Sequence, residues 1–250
     1  MGQLDGKRAL VTGASRGLGR AIAMGFAREG AAVALNWFQD RDNVEETLRL
    51  IEAEGGTAFA VEADVSSEAA VEAMFDEALP RLGGLDILVN NAGVSCHTPL
   101  LETAAADFDR VVGINLRGPF LVGKRGIREM VGRDDLPRVI NIASELAYLG
   151  RGENSVYCAT KGGVLTMTRS WAREFAPEIL VNAIGPGPID TDMLAVETIG
   201  EDEREMERQI PLQRLGRPEE VAAVAVFLAG PGATFMTGQC IGPNGGAVMA

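Results

Sequence analysis

Short apolar runs alternate with helical patterns along almost the whole of this 250-residue chain, and that alternation constrains its fold more than any other feature. RALVT (Arg8 to Thr12), AVAL (Ala32 to Leu35), TAFAVEAD (Thr57 to Asp64), LDILVN (Leu85 to Asn90), RVINIA (Arg138 to Ala143), LVNAI (Leu180 to Ile184) and QCIG (Gln239 to Gly242) read as strands. Helical spacing follows from Leu18 to about Gly30, from Val44 to Ala53, and from about Ser67 to Leu79, where Pro80 is expected to disturb or stop the helix. A long helix is expected from about Ala104 to Met130, another from about Ser155 to Phe175, and a late one from Glu219 to Ala229. Near-continuous apolar strands between helices indicate a parallel α/β sheet covered on both faces. No linker or repeat divides the chain, so residues 1–250 are expected to form one domain.

Composition narrows the function class. The hydrophobic fraction of 46% suits a large buried core. No apolar run approaches the roughly 20 residues that span a bilayer. The first residues, MGQLDGKRALVTG, lack a signal-peptide core. Cys96, Cys158 and Cys240 are scattered, with no metal-ligand spacing. A cytoplasmic protein without a metal site or membrane partner is expected. The formal net charge of −12 argues against a nucleic-acid partner.

The segment TGASRGLG (Thr12 to Gly19) joins the first strand to the first helix. Gly13, Gly17 and Gly19 permit a tight turn and close approach of backbone to a pyrophosphate. The helix N-terminus beyond them offers free N–H groups and partial positive charge. The strand–loop–helix context makes this a nucleotide-binding site rather than an ordinary turn.

Tyr157 and Lys161 stand four residues apart in YCATK, thirteen and seventeen positions after Ser144. On a helix they share a face, so phenol and ammonium can enter one pocket. A nearby ammonium lowers a tyrosine pKa, and a phenol tuned that way can transfer a proton near neutral pH.

With these motifs in this order, the chain resembles the short-chain dehydrogenases/reductases. The resemblance runs through TGASRGLG, Asp64–Val65, NNAG (Asn90 to Gly93), Asn115, Ser144, Tyr157, Lys161, PGPIDTDM (Pro186 to Met193) and TGQCIGPNGG (Thr237 to Gly246). It implies a doubly wound Rossmann-type fold with seven parallel strands, an NAD(P)(H)-dependent exchange between ketone and secondary alcohol, and a homotetramer. It implies that Tyr157 is the acid–base residue, that Lys161 tunes it and holds the nicotinamide ribose, that Ser144 hydrogen-bonds the substrate oxygen, and that Asn115 holds a proton-relay water. It places Ser15, Arg16, Leu18, Asn36, Trp37, Asp64, Val65, Asn91, Ala92, Gly93, Pro186, Gly187, Ile189 and Thr191 beside the cofactor, with the glycines, Tyr157 and Lys161. Arg16 resembles a basic position of NADP-preferring members, and no acid follows the second strand until Asp40, so NADP(H) is favoured over NAD(H). Arg41 would assist if its loop folds back.

The resemblance places substrate near Val94 to Thr98, Glu145 to Arg151, and a mobile lid at about 190–212. Ser95, His97, Glu145, Arg151 and Gly187 are the substrate candidates, although His97 reads first as an ordinary loop residue. Glu145 would disfavour acidic substrates and Arg151 would favour them. EDEREMER (Glu201 to Arg208) reads as a solvated helix face, and Cys158 as packing. Among members the look is closest to the 3-oxoacyl-carrier-protein reductases. Against a carrier-bound substrate, RDDLP (Arg133 to Pro137) and APEI (Ala176 to Ile179) would put Asp134, Asp135 and Glu178 at the pocket mouth. A general carbonyl reductase, a sugar or polyol dehydrogenase, and a non-catalytic dinucleotide sensor are the alternatives. Each of the enzymatic readings implies a small-molecule carbonyl or alcohol as substrate.

Overall fold

Strand order β3-β2-β1-β4-β5-β6-β7 defines one seven-stranded sheet, every pairing parallel. The computed structural model describes residues 2–195 and 199–249. The strands are β1 (Arg8–Val11), β2 (Ala32–Trp37), β3 (Thr57–Glu62), β4 (Ile87–Asn90), β5 (Arg138–Ile142), β6 (Leu180–Ile184) and β7 (Cys240–Ile241). The helices are α1 (Gly17–Arg28), α2 (Arg41–Ala53), α3 (Glu68–Leu82), α4 (Ala105–Val112), α5 (Gly118–Met130), the single turn α6 (Leu146–Leu149), α7 (Ser155–Phe175), α8 (Glu201–Glu207) and α9 (Pro218–Ala229).

Strand alternation divides the core in two. Ala9, Val11, Val33, Leu35, Ile87, Val89 and Ile140 face one side and pack with Ile22 and Phe26 of α1 and Val221 of α9. Leu10, Ala34, Leu88, Val139 and Val181 face the other, against Phe75 of α3, Met130 of α5 and Trp171 of α7. Strand order reverses direction between β1 and β4, and a crevice opens there beyond the carboxyl ends of the strands.

Two helical expectations are corrected. α3 runs through Pro80 to Leu82. A proline in the last turn removes only one i→i−4 bond, and Ala78 and Leu82 still reach the core beside Phe75. The long helix expected from Ala104 to Met130 is three pieces, with a π-helical turn, Gly113–Arg117, between α4 and α5. The wider turn carries Asn115, which is 1% exposed and bonded to another segment.

Candidate active site

At the carboxyl edge of β1 the chain turns through Gly13 (φ +62°) and Gly17 (φ +55°) before α1 begins. Both angles lie in the left-handed region that glycine enters without strain. Around this turn the polar side chains are occupied with holding backbone. Asn36 Oδ1 accepts from Gly13 N–H at 3.3 Å, while its Nδ2 donates to Ala63 C=O at 3.0 Å. Asn91 Nδ2 donates to the carbonyls of Thr12 and Gly13. The Ser15 hydroxyl donates to Asp40 at 2.7 Å, and Arg16 pairs with Asp40 and Asp192. The first N–H groups of α1 therefore open on a cleft of about 870 Å³, with Arg16 at its rim. Its volume and donor set fit an extended anionic nucleotide.

The same cleft is lined by Ser144, Tyr157 and Lys161. β5 ends at Ile142, so Ser144 emerges just beyond the carboxyl edge. α7 brings Tyr157 and Lys161 alongside. Lys161 is 5% exposed and its Nζ donates to Ile142 C=O at 2.8 Å. Burial lowers its pKa to about 8. The Tyr157 phenol moves the other way. Burial pushes its pKa up, Glu145 adds to the rise, and the Ser144 hydroxyl only partly counters it. Lys161 Nζ stands 5.6 Å from the ring centre, while desolvation is the largest influence on the phenol.

Asn115 stands behind this group. Its Oδ1 accepts from Val94 N–H at 2.8 Å and its Nδ2 donates to Val94 C=O at 2.7 Å. Further back, Asn90 donates to Asn141, which donates to Thr168 of α7. A buried polar chain thus ties β4 and β5 to the helix that carries Tyr157.

Beyond Ser144 the cleft is rich in carboxylates. Glu145 is 7% exposed and accepts from Ser144 Oγ at 2.8 Å. Burial raises its pKa, and Glu207 adds to the rise. Arg151 donates to both oxygens of Glu207 on α8. His97 lies between Glu153, at 2.7 Å, and Glu203 of α8, at 2.9 Å. EDEREMER is therefore not simply a solvated face. Glu203 and Glu207, four residues apart, turn together into the cleft, while Glu201, Asp202, Glu205 and Met206 are exposed. His97 is likewise a cleft residue rather than an ordinary loop residue. Val196 to Thr198, within the expected lid, lie outside the described residues.

The cleft gathers Gly13, Ser15, Arg16, Gly17, Leu18, Gly19, Asn36, Asp64, Val65, Asn91, Ala92, Gly93, Pro186, Gly187, Ile189 and Thr191 at its cofactor side, and Ser95, His97, Glu145 and Arg151 beyond. Trp37 is not among its lining residues. It follows Val33 and Leu35 into the core, 6% exposed, with Arg41 stacked over its ring. Adjacent strand residues point oppositely, so Asn36 and Trp37 cannot share the cleft. Arg41, held by Trp37 and Glu45, does not line it either. Arg110 and Asn154 line the cleft without having been singled out from the sequence, and Phe38, Glu203 and Glu207 line it as well. Strand parity pointed to Phe38, and the i, i+4 spacing of Glu203 and Glu207 pointed to a shared face.

Asp135 and Glu178 sit at the opposite end of β5. Asp135 pairs with Arg133, and Glu178 accepts from Gly132 N–H. That end begins at Arg138, whereas Ser144 follows the other end, so these acids do not form the mouth of this cleft. Among the described residues, no group of three or more His, Cys, Asp or Glu side chains is placed to hold a metal ion. No described helix is long and apolar enough to cross a membrane.

Comparisons with known proteins agree with this geometry. Residues 13–248 match the family model described as enoyl-(acyl carrier protein) reductase. Glucose 1-dehydrogenase 2 of Bacillus subtilis is 39% identical over 249 residues, covering 98% of this chain and 96% of that protein. A 3-oxoacyl-[acyl-carrier-protein] reductase of Staphylococcus aureus is 39% identical over 245 residues, covering 97% and 98%. The solved structure of angucycline C-6 ketoreductase LanV with bound NADP superposes with a TM-score of 0.93 at 34% identity, covering 100% of this chain and 98% of that one.

Proposed function

The chain belongs to the short-chain dehydrogenase/reductase family, and on that premise we propose that it is an NADP(H)-preferring oxidoreductase of uncharged ketones and secondary alcohols. One observation carries the reading: Ser144, Tyr157 and Lys161 line the same cleft as the glycine turn. A 3-oxoacyl-carrier-protein reductase and a C-6 ketoreductase among the similar proteins support exchange of ketone and secondary alcohol.

When bound, the nicotinamide supplies or accepts the hydride. The α1 N-terminus and Arg16 would hold the phosphates, with Asp64, Val65 and Ala92 at the adenosine side. Lys161 would meet the nicotinamide ribose. Ser144 would donate to the substrate oxygen. Tyr157 would give that oxygen its proton during reduction and remove it during oxidation. The preference for NADP(H) rests on Arg16, whose side chain is 57% exposed at the cleft rim. The ketoreductase LanV, whose structure contains NADP, supports the same reading.

Charge at the far end of the cleft supports an uncharged substrate. Arg151 is matched by Glu207 and His97 by Glu203, while Glu145 adds a further carboxyl. A carboxylate or a phosphate-bearing carrier arm would meet no uncompensated cation there. Those carboxylates also favour a second reading, a sugar or polyol dehydrogenase, since each oxygen can accept from a substrate hydroxyl. Oxidation of NADPH by neutral diketones or ketoesters would support the first reading. Reduction of NADP by polyols alone would select the second, and silence with every carbonyl and alcohol would overturn both.

Residues 1–250 would act as one catalytic unit, with about 190–212 as its movable lid. A homotetramer is supported by exposed Phe108 and Phe120 on α4 and α5 and by exposed Met249 near the chain end. Light scattering that returns a monomer mass would remove it. Three free thiols support a cytoplasmic location.

A further inference from the structure

The Ser144 hydroxyl has one hydrogen and two lone pairs, and its surroundings already compete for them. Leu146 N–H donates to Oγ at 3.1 Å and occupies one lone pair. Glu145 Oε2 lies 2.8 Å from Oγ and, when ionised, takes the only hydrogen. In that arrangement Ser144 has no hydrogen left for a substrate carbonyl. A protonated Glu145 reverses the bond. Its own O–H donates to the second lone pair of Oγ, and the serine hydrogen is released toward the cleft.

We propose that Glu145 is a positioning residue that sets the direction of the Ser144 hydroxyl, and that only its protonated form aims the serine hydrogen at the substrate oxygen. No covalent bond changes except the O–H bond that titrates, and its proton exchanges with water. The inference rests on Ser144 being the hydroxyl that meets substrate, as proposed above.

The surroundings favour the protonated form to different degrees. Burial is the largest influence and raises the Glu145 pKa above its ordinary value of 4.5. Glu207 on α8 adds to the rise, whereas Arg151 and the bond from Ser144 oppose it. Tyr157 and Cys158 on α7 also face this carboxyl, and each has its own pKa raised by it. Since protonated Glu145 is the active form, rising pH switches the serine off as the carboxyl ionises.

The test compares wild type with Glu145→Gln, whose amide can donate to Oγ and does not titrate. The rate of reduction of a neutral diketone by NADPH is followed from pH 5 to pH 9. The ratio of variant to wild-type kcat is expected to rise about tenfold as wild-type Glu145 ionises. A ratio that stays constant with pH would overturn the proposal. Infrared titration provides a readout independent of turnover. A protonated-carboxyl stretch absent from Glu145→Gln should disappear at the midpoint of the wild-type rate profile. If the variant does not fold, the wild-type band and rate profile still decide, because lack of a common midpoint overturns the proposal. Ser144→Ala separates the two levels. Full turnover there would remove the Ser144 assignment as well, whereas lost turnover with a constant ratio would overturn only the role of Glu145.

Discussion

Arg151 and Glu207, separated by 56 positions in the chain, join through both guanidinium branches and both carboxylate oxygens across the end of the cleft beyond Ser144. The pair connects the loop ahead of α7 to α8. It also cancels the Arg151 charge that could otherwise greet an acidic substrate beside Glu145.

Glu207→Gln should therefore change selectivity more than stability. Freeing the Arg151 charge is expected to raise kcat/KM for carboxylate-bearing ketones over neutral ones by about tenfold, or about 1.4 kcal/mol. Paired assays with a ketoacid and its ester measure the ratio. An unchanged ratio would mean that Arg151 does not face the substrate.

Tyr157→Phe removes the transferable proton and little else. A loss of about 10²–10⁴ in kcat is expected. Binding of NADPH, read by fluorescence titration, should remain within about threefold of wild type because the ring is kept. Retention of full turnover would end the assignment.

Lys161 gives stability a pH dependence at the alkaline end. Its folded pKa of about 8 lies below the ordinary 10.5. Between those values the unfolded chain binds more proton than the folded one, so stability rises with pH and is lost again as pH falls through about 8. The full difference corresponds to about 3 kcal/mol. Thermal melts of wild type from pH 7 to pH 10 should show this slope, and Lys161→Met should flatten it. Parallel curves would show that another group is responsible.

Gly19 is closed by packing. A Cβ there would lie 2.1 Å from the Gly13 carbonyl oxygen and 2.6 Å from Asn91 Nδ2. Gly19→Ala should lower stability by about 1–3 kcal/mol and weaken dinucleotide binding more than tenfold. Calorimetric titration with NADPH measures the binding loss, and wild-type affinity would place the phosphates elsewhere.

Asp86 tests stability away from the cleft. Its carboxylate holds Arg8 and Arg133, and its pKa is lowered by the bonds from Arg8. The resulting stability is present above the ordinary value of 3.8 and is lost as pH falls through the depressed one. Asp86→Asn should cost about 3 kcal/mol at neutral pH. That cost should vanish in strong acid, while kcat of the folded fraction holds. Equal destabilisation at every pH would remove the ionic explanation.

What the sequence made legible was local. Continuous apolar runs mark β1, β4, β5 and β6 because both faces of each strand are buried. The spacing of Tyr157 and Lys161 marks a shared helix face. The rest depended on distant contacts. Helical periodicity continues across Gly113–Arg117, and the π turn is explained only by the reach of Asn115 to Val94. The direction of the Tyr157 shift depends on enclosure and on Glu145, which spacing does not report. The inward face of α8 is meaningful only once Arg151 and His97 are seen opposite it.

The pairing of Asn115 with Val94 has a mechanical consequence. A side-chain amide that accepts from the N–H and donates to the C=O of one residue acts as a rung continuing the ladder past the end of β4. Through it the segment that follows β4 and the π turn ahead of α5 are clamped together, so the wall of the cleft at Gly93 and Val94 keeps one setting.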